Sequence, residues 1–256
     1  MKNSQPKKAV VTLCTGEKYE KIGELTHPGF RKYAERIGAE FVVINAPKLS
    51  NLGFHTHFEK FQIYDLLESF DRIAFIDTDI LITSTCPDLF KVIKTNQFGV
   101  FMASEYTTRH DEAVKIIQKE LGEIDWERDC FNSGVMVFSR CHREAFDYQK
   151  ISLKKWADWV NREGNRAWVD QTYLNYVTRL LKFEIFDMGY KFNHTTAPRN
   201  SWNRFNSYII HYPGKGHRRG EKMDQIKKDS SIINNPLLFE FSRKLPHLNI
   251  VFDRLI

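Results

Sequence analysis

Residues 71–83, DRIAFIDTDILIT, decide how the rest of this sequence is interpreted. The β-branched and aromatic residues 72–76 predict a buried strand, and apolar character resumes at residues 80–82. Side chains two positions apart on an extended backbone point to the same face, so Asp77 and Asp79 converge where that strand ends. Two carboxylates this close repel each other unless a cation lies between them. The pattern fits a divalent-metal site at the carboxyl end of a central strand, or a tight turn, because Asp-Thr-Asp is also a turn sequence.

The length, composition and charge of the chain are those of a globular protein that binds an anionic ligand. The 256 residues suffice for one sizeable domain, with or without an appendage. No apolar run approaches the roughly 20 residues of a membrane span, and residues 9–14 are expected to form a short strand, not a signal peptide. The four cysteines show no CxxC spacing, which predicts reduced, mostly buried thiols in a cytoplasmic protein. The net charge of +6 suits an anionic ligand such as a nucleoside diphosphate, and no nucleic-acid-binding pattern accompanies it.

Short apolar strands alternate with amphipathic helices, which predicts an α/β fold with a mostly parallel central sheet and helices on both faces. Strands are predicted at residues 9–14, 41–44, 72–76, 134–138, 181–186 and 207–211. Helices are predicted at residues 19–37, with a break near Pro28, and at residues 57–69 and 111–121. Two later helices have apolar faces that contain Phe146, Leu153, Trp156 and Val160 in the first and Val169, Tyr173, Val177 and Leu181 in the second. Because the composition turns basic after His211, we divide the chain into a main domain, residues 1–215, and a basic and apolar tail, residues 216–256.

Two further patterns place polar groups beside predicted strands. Thr15 and Tyr19 follow the first strand, where a nucleotide base can bind, although an ordinary strand–turn–helix connection has the same pattern. The segment DCFNSGV begins at Asp129 and brings Asn132 and Ser133 directly into a strand. Buried polar side chains need hydrogen-bond partners, so these residues form either a turn network or a sugar-binding shelf.

Another two patterns carry chemistry later in the chain. Asp170 and Gln171 open a helix, where an acid either complements the helix dipole or faces a site. His211 begins HYPGKGHR, which offers an imidazole ligand followed by a cationic loop suited to phosphate oxygens. A lone histidine at a strand end is also compatible with a purely structural role.

In this order and spacing, the Thr–Tyr turn, a lysine, DxD, DCFNSGV, DQ and HYPG resemble the GT-A glycosyltransferases, specifically the retaining glycogenin and bacterial lipopolysaccharide galactosyltransferase group. The resemblance covers about residues 8–217. It implies a GT-A (nucleotide-diphospho-sugar transferase) fold, with residues 1–215 as the catalytic domain. It further implies transfer of a hexose or pentose from a nucleotide-sugar, UDP-linked, to an acceptor hydroxyl with retention of configuration.

The resemblance also assigns roles on the nucleotide side of the site. The residues that match nucleotide and metal contacts are Thr15 and Tyr19 for uridine, Lys60 for phosphate and sugar, Asp77 for ribose and metal, and Asp79 and His211 for the metal. Because these ligands mix carboxylate and imidazole, Mn²⁺ is the favoured ion, with Mg²⁺ possible. Related proteins have a lysine six residues after the histidine, where this chain has His217. The diphosphate contact therefore falls to the loop that contains Gly214, Lys215, His217 and Arg218.

On the sugar side, the resemblance names residues that hold hydroxyls or lie beneath the anomeric carbon. They are Asp129, Asn132 and Ser133 for the hydroxyls, Asp170 and Gln171 beneath the anomeric centre, and Asn193 in the segment before the last strands. The acceptor is expected to be a glycan, a glycolipid or a protein. For the tail, two interpretations stay open: a basic loop that closes over the diphosphate, followed by a segment that packs on the domain, or peripheral contact of the basic residues and the apolar cluster at residues 236–241 with a membrane.

Two other functions remain open at this point. A metal-dependent sugar nucleotidyltransferase uses a similar sheet, but it tends to have a glycine-rich phosphate loop, and the segment from Thr15 to Tyr19 has a single glycine. A non-catalytic nucleotide-sugar-binding module is the second alternative. It has no physical need for the costly cluster of Asp77, Asp79 and His211.

Overall fold

The predicted buried strand is present in the computed structural model, which describes residues 5–103, 109–163, 169–195, 201–214, 216–217 and 220–249. The strands, in chain order, are β1 (Lys8–Leu13), β2 (Glu40–Ile44), β3 (Arg72–Ile76), β4 (Ile80–Ile82), β5 (Gln97–Met102), β6 (Phe131–Ser139), β7 (Glu184–Asp187), β8 (His194–Thr195), β9 (Ile209–His211), β10 (Gly216–His217) and β11 (Gly220–Glu221). All five residues of β3 are buried.

Six of these strands form the central sheet, in the order β2-β1-β3-β6-β5-β7. The pairs β1–β2, β1–β3 and β5–β7 are parallel, whereas β6 runs antiparallel to both of its neighbours. Five of the six strands therefore share one direction, which confirms the predicted α/β fold with a mostly parallel sheet. A second sheet has the order β4-β9-β8, and β10 and β11 form a short antiparallel ribbon.

The helices predicted from the sequence are present with different ends, and the described residues contain three more that were not predicted, at Leu89–Val92, Lys222–Ile233 and Pro236–Lys244. In chain order, the helices are α1 (Glu17–Arg36), α2 (Ile63–Ser69), α3 (Leu89–Val92), α4 (Arg109–Leu121), α5 (Ile151–Glu163), α6 (Val169–Leu180), α7 (Lys222–Ile233) and α8 (Pro236–Lys244). The predicted break near Pro28 is wrong, because α1 continues through this proline. Ile22, Phe30 and Tyr33 are buried on both sides of it, and this packing outweighs the lost backbone hydrogen bond.

Three other predicted boundaries are also wrong. The first half of the helix predicted at residues 57–69 is a 3₁₀ helix, Thr56–Gln62. Phe146 belongs to a second 3₁₀ helix, Arg140–Phe146, and lies outside α5. The strand predicted from residue 181 begins only at Glu184, because Lys182 adopts a left-handed conformation (φ 55°) just after α6 ends.

The two sheets meet at the paired aspartates. Residues 77–79 connect β3 of the central sheet directly to β4 of the second sheet. The start of β6 lies beside the end of β3, where the Asp77 amide donates to the Gly134 carbonyl (2.8 Å). In the second sheet Ile80 pairs with His211, the last residue of β9. The fold thus brings three distant parts of the sequence to the carboxyl end of β3.

The described part of the tail packs on the main domain. Ile226 of α7 and Phe239 of α8 share an apolar cluster with Ile22 of α1. Arg204 forms a two-pronged ion pair with buried Asp229 of α7, at 2.7 and 2.8 Å. The boundary near residue 215 stays a prediction.

The cysteines and the helix lengths agree with the sequence analysis. Cys14, Cys86 and Cys130 are buried, Cys141 is exposed, and none of the four forms a disulfide, which agrees with the prediction of reduced, mostly buried thiols. Among the described residues, no helix is both long and apolar enough to cross a membrane.

Candidate active site

A threonine fixes the turn that carries the two aspartates. The Thr78 hydroxyl donates to the Leu13 carbonyl at the end of β1 (2.6 Å) and lies 3.1 Å from the Thr12 hydroxyl. Thr78 is buried, so the residue between the aspartates is tied to the neighbouring strand. Asp77 and Asp79 therefore lie close together at this turn, as their spacing predicts, although the backbone between them is not extended.

Asp77, Asp79 and His211 form a cluster with metal-ligand geometry. One ligand atom from each lies within 4.8 Å of those of the other two. The His211 Nε2 atom is 3.4 Å from Asp79 Oδ1 and 3.8 Å from Asp77 Oδ2. The pairing of Ile80 with His211 explains how a histidine far along the chain reaches the aspartates. Two carboxylates and one imidazole suit a divalent transition metal.

Hydrogen bonding assigns the tautomer of His211. The side-chain amide nitrogen of Asn193 donates to Asn132 Oδ1 (2.8 Å). The oxygen of Asn193 is therefore the atom that faces His211 Nδ1, at 2.9 Å. Nδ1 must then carry a proton, which leaves Nε2 as the ring atom that faces the aspartates. An outer partner of this kind orients metal-binding histidines in proteins generally.

The same amides connect the cluster to α6. Asn132 Oδ1 also accepts from the Gly134 amide (2.9 Å), and its nitrogen donates to Gln171 Oε1 (3.2 Å). Gln171 Oε1 accepts a second bond from the Ser133 amide (3.1 Å). A continuous chain of amides therefore runs from His211 to the start of α6.

The buried Lys60 connects Asp77 to Asp170 of α6. Lys60 Nζ lies 2.6 Å from Asp170 Oδ2 and 3.5 Å from Asp77 Oδ1. The Ser133 hydroxyl donates to the same Asp170 oxygen (3.0 Å). Burial would lower the pKa of Lys60, but the charges of Asp170 and Asp77 raise it overall, so the ammonium stays charged.

A family model for glycosyl transferase family 8 matches residues 12–232, which is most of the chain. The chain belongs to glycosyl transferase family 8. The resemblance drawn from the sequence is thereby confirmed, and the protein is a glycosyltransferase. No protein with a curated functional description matches the sequence significantly.

Solved structures support the GT-A fold at low sequence identity. A glycosyltransferase involved in glycosylation of the major capsid of PBCV-1 has a TM-score of 0.58 and 11% identity, over 87% of this chain and 100% of that chain. The galactosyltransferase LgtC, solved with donor and acceptor sugar analogues, has a TM-score of 0.57 and 14% identity, over 87% of this chain and 95% of that one. The bifunctional glycosyltransferase WbbM has a TM-score of 0.61 and 16% identity over 94% of this chain, which spans 52% of WbbM.

In this family 8 chain, nine of the residues predicted from sequence form one bonded network. They are Lys60, Asp77, Asp79, Asn132, Ser133, Asp170, Gln171, Asn193 and His211. Burial and then the charges of Asp79 and Asp77 raise the pKa of the Tyr19 hydroxyl, although the residue is 39% exposed. Their assigned roles stay predictions.

The remaining predicted residues lie at the edge of this network or outside the described residues. Thr15 is half-buried just before α1. Asp129 is exposed with a left-handed backbone (φ 68°), and its carbonyl accepts a hydrogen bond from Arg179. Gly214 occupies an exposed turn with φ 79°. Lys215, Arg218 and the side chain of His217 lie outside the described residues.

The two aspartates have opposite pKa shifts. Burial raises the pKa of Asp77, and the nearby Asp79 and Asp170 charges oppose its ionisation further, despite Lys60 and His211. Burial would also raise the pKa of Asp79. Its contacts with His211 and Lys222 outweigh that effect and hold the pKa well below its usual range. Asp79 is therefore the more firmly ionised ligand of the pair.

The sequence analysis missed two residues in direct contact with this network. Lys222, the first residue of α7, forms an ion pair with Asp79 Oδ2. Asn175, fully buried on α6, donates to the Phe131 carbonyl and accepts from the Phe131 amide, both at 2.9 Å, and so fixes the start of β6. No sequence pattern separates Lys222 from its basic neighbours, whereas Asn175 follows Gln171 by one helical turn and shares its face.

Proposed function

We propose that this glycosyltransferase moves a hexose or pentose from a UDP-sugar to a hydroxyl of a glycan, glycolipid or protein, with a divalent metal and retention of configuration. The observation that carries the proposal is the cluster of Asp77, Asp79 and His211. It lies at the carboxyl end of β3, where open α/β sheets bind their ligands. The galactosyltransferase LgtC, which was solved with donor and acceptor sugar analogues, agrees with this substrate class.

The residues present fit a bound metal ion. The Nε2 atom of His211 faces the two carboxylates, because Nδ1 donates to Asn193 on the other side of the ring. The mixed nitrogen and oxygen ligands favour Mn²⁺ over Mg²⁺, which prefers oxygen ligands and water. When bound, the ion would stabilise the negative charge that builds on the leaving diphosphate.

The side chains facing the centre of the site support retention. An inverting transferase needs a general base opposite the leaving group, to take the proton of the acceptor hydroxyl. Asp170 is a poor base, because Lys60 and the Ser133 hydroxyl both donate to its Oδ2 atom. Burial alone would raise the pKa of Asp170, but the Lys60 charge lowers it overall. Gln171 is an amide and accepts no proton near neutral pH, so the leaving diphosphate remains as the proton acceptor on the side of departure.

The activity is tested by incubating the protein with a panel of nucleotide-sugars and Mn²⁺. We expect slow hydrolysis of one UDP-sugar to UDP and free sugar, lost on chelation of the metal. Release of pyrophosphate from a nucleoside triphosphate and sugar phosphate would instead identify a nucleotidyltransferase. Metal-dependent UDP-sugar binding without any turnover would identify a binding module.

The configuration of the transferred sugar is a separate prediction. With a UDP-α-sugar and an acceptor, we expect an α-linked product, because attack occurs on the face that the diphosphate leaves. The anomeric coupling constant in the proton NMR spectrum of the product measures this. A β-linked product would contradict the retaining mechanism while leaving the donor class intact.

We propose that apolar and basic residues of the tail form a surface that binds an anionic membrane. Leu237 of α8 is 84% exposed, Leu238 and Phe241 of the same helix are also exposed, and exposed Leu245 follows the end of the helix. Lys244 follows at the end of the helix. An amphipathic helix of this kind lies in the lipid interface with its apolar side buried. The predicted cytoplasmic location is consistent with contact at an inner leaflet rich in anionic lipid.

We expect the full chain to sediment with vesicles of phosphatidylcholine and phosphatidylglycerol, and less with phosphatidylcholine alone. The double variant Leu237→Asp, Phe241→Asp is expected to lose most of this binding, because two exposed apolar side chains become charged. Ile151→Asp is the matched control, since Ile151 is 86% exposed at the start of α5, outside the tail. Equal sedimentation of the two variants would contradict the proposal.

A further inference from the structure

Lys222 is a buried cation in contact with a proposed metal ligand. Only 7% of the residue is exposed, and its ammonium forms an ion pair with Asp79 Oδ2. Burying an ammonium is costly unless a carboxylate compensates it. The pair therefore neutralises two buried charges that the fold brings together beyond the end of β3.

Asp79 divides its two oxygen atoms between different partners. Oδ1 faces the His211 ring at 3.4 Å, whereas Oδ2 contacts Lys222. An ion held by Asp77, Asp79 and His211 would therefore share this carboxylate with Lys222. Two cations so close in a poorly solvated site repel each other, and the ion carries the larger charge. Metal binding thus removes the reason for Lys222 to stay at Asp79.

We propose that Lys222 compensates Asp79 in the metal-free protein and moves to the diphosphate of the donor when the metal binds. The inference rests on the proposed function and names a residue that the sequence analysis did not assign. The diphosphate is the anionic group that a donor brings to the metal, and a lysine has a flexible stem with three donor hydrogens. Related proteins have a lysine six residues after the metal-binding histidine, where this sequence has His217. In this chain, Lys222 then provides the corresponding cation.

We expect Lys222→Met to change the affinities for Mn²⁺ and for UDP in opposite directions. Without donor, we expect Mn²⁺ to bind about tenfold more tightly, because a charge-assisted contact no longer competes for Asp79. With Mn²⁺ saturating, we expect UDP to bind about tenfold more weakly, because its diphosphate loses a cation. Electron paramagnetic resonance of free Mn²⁺ measures the first affinity and calorimetry the second. Lys227→Met is the matched control, since Lys227 is exposed on the same helix.

The outcomes separate this inference from the proposed function. If the unmodified protein binds neither Mn²⁺ nor UDP, the proposed function fails and the inference fails with it. If the unmodified protein binds both, and Lys222→Met leaves either affinity unchanged or shifts both in the same direction, only the inference fails. Opposite shifts that are absent from Lys227→Met support it.

A measurement on the unmodified protein makes the test independent of how the variant folds. Reductive methylation followed by mass spectrometry reports how accessible each lysine amine is. We expect Mn²⁺ alone to increase methylation of Lys222, and Mn²⁺ with UDP to decrease it again, while Lys227 reacts equally in all three conditions. Methylation of Lys222 that does not respond to Mn²⁺ would overturn the inference.

Discussion

Asp79→Asn is expected to lower the rate of sugar transfer on the order of a thousandfold. The amide removes the more firmly ionised of the two carboxylates and leaves Asp77 and His211 as an incomplete ligand set. Charge stabilisation by a metal ion is worth several kcal/mol, and each 1.36 kcal/mol is about tenfold in rate. Steady-state kinetics with the donor found in the panel measures the loss. Mn²⁺-dependent UDP binding should weaken in parallel.

The same substitution also affects the fold, because Lys222 then keeps a buried charge without its carboxylate. We expect a lower melting temperature for Asp79→Asn, so the transfer rates must be measured well below that temperature. His211→Ala removes a ligand without leaving this lysine unpaired, and it should lose transfer with a smaller change in melting temperature. Asp224→Asn, at an exposed acid of α7, is the control for loss of one carboxylate. Undiminished Mn²⁺-dependent UDP binding in both site variants would refute the metal hypothesis.

Local patterns were enough to predict a buried strand with two aspartates close together at its end. The apolar run of β3 and the spacing of Asp77 and Asp79 depend only on neighbours along the chain. His211 is different, because nothing local marks it as a ligand. The resemblance to a family predicted it, and its pairing with Ile80 supplies the physical reason.

Tertiary packing decided the features that the sequence did not reveal. Lys222 looks like one basic residue among many, and only the packing of α7 against α1 and β4 brings it to Asp79. Pro28 predicts a break, yet buried residues on both sides carry α1 through it. In both cases the deciding contacts come from residues distant in sequence, which a reading of local patterns does not contain.

The amide chain gives the site a rigidity that its separate motifs do not suggest. Asn193 fixes the His211 ring and donates to Asn132, and Asn132 in turn donates to Gln171 at the start of α6. The residues proposed to hold the metal and those proposed to face the anomeric carbon are therefore coupled through three hydrogen bonds. Gly134 lies at the centre of this arrangement, since its amide also donates to Asn132.

Gly134→Ala is expected to lower transfer about a hundredfold, although the change adds a single methyl group. The new Cβ atom would clash with the His211 ring and would lie 2.9 Å from both Asn132 Oδ1 and Asp77 Oδ2. The backbone cannot easily withdraw, because the Gly134 carbonyl accepts from the Asp77 amide at 2.8 Å. The His211 ring must shift instead, and a misplacement of about 1 Å in an active site can cost about a hundredfold in rate. Mn²⁺ affinity should fall together with the rate.

The matched control for this effect is Gly29→Ala. A Cβ atom at Gly29, inside α1, has no atom within 4 Å, so alanine fits there and favours the helix. We expect Gly29→Ala to keep full activity with equal or higher stability, while Gly134→Ala loses about 1–3 kcal/mol of unfolding free energy through overpacking. Denaturant unfolding measures the stability of each variant, and Mn²⁺ titration measures its metal affinity. If Gly134→Ala retains Mn²⁺ affinity, the His211 ring can move without cost, and the argument that Asn193 locks it beside the aspartates is wrong.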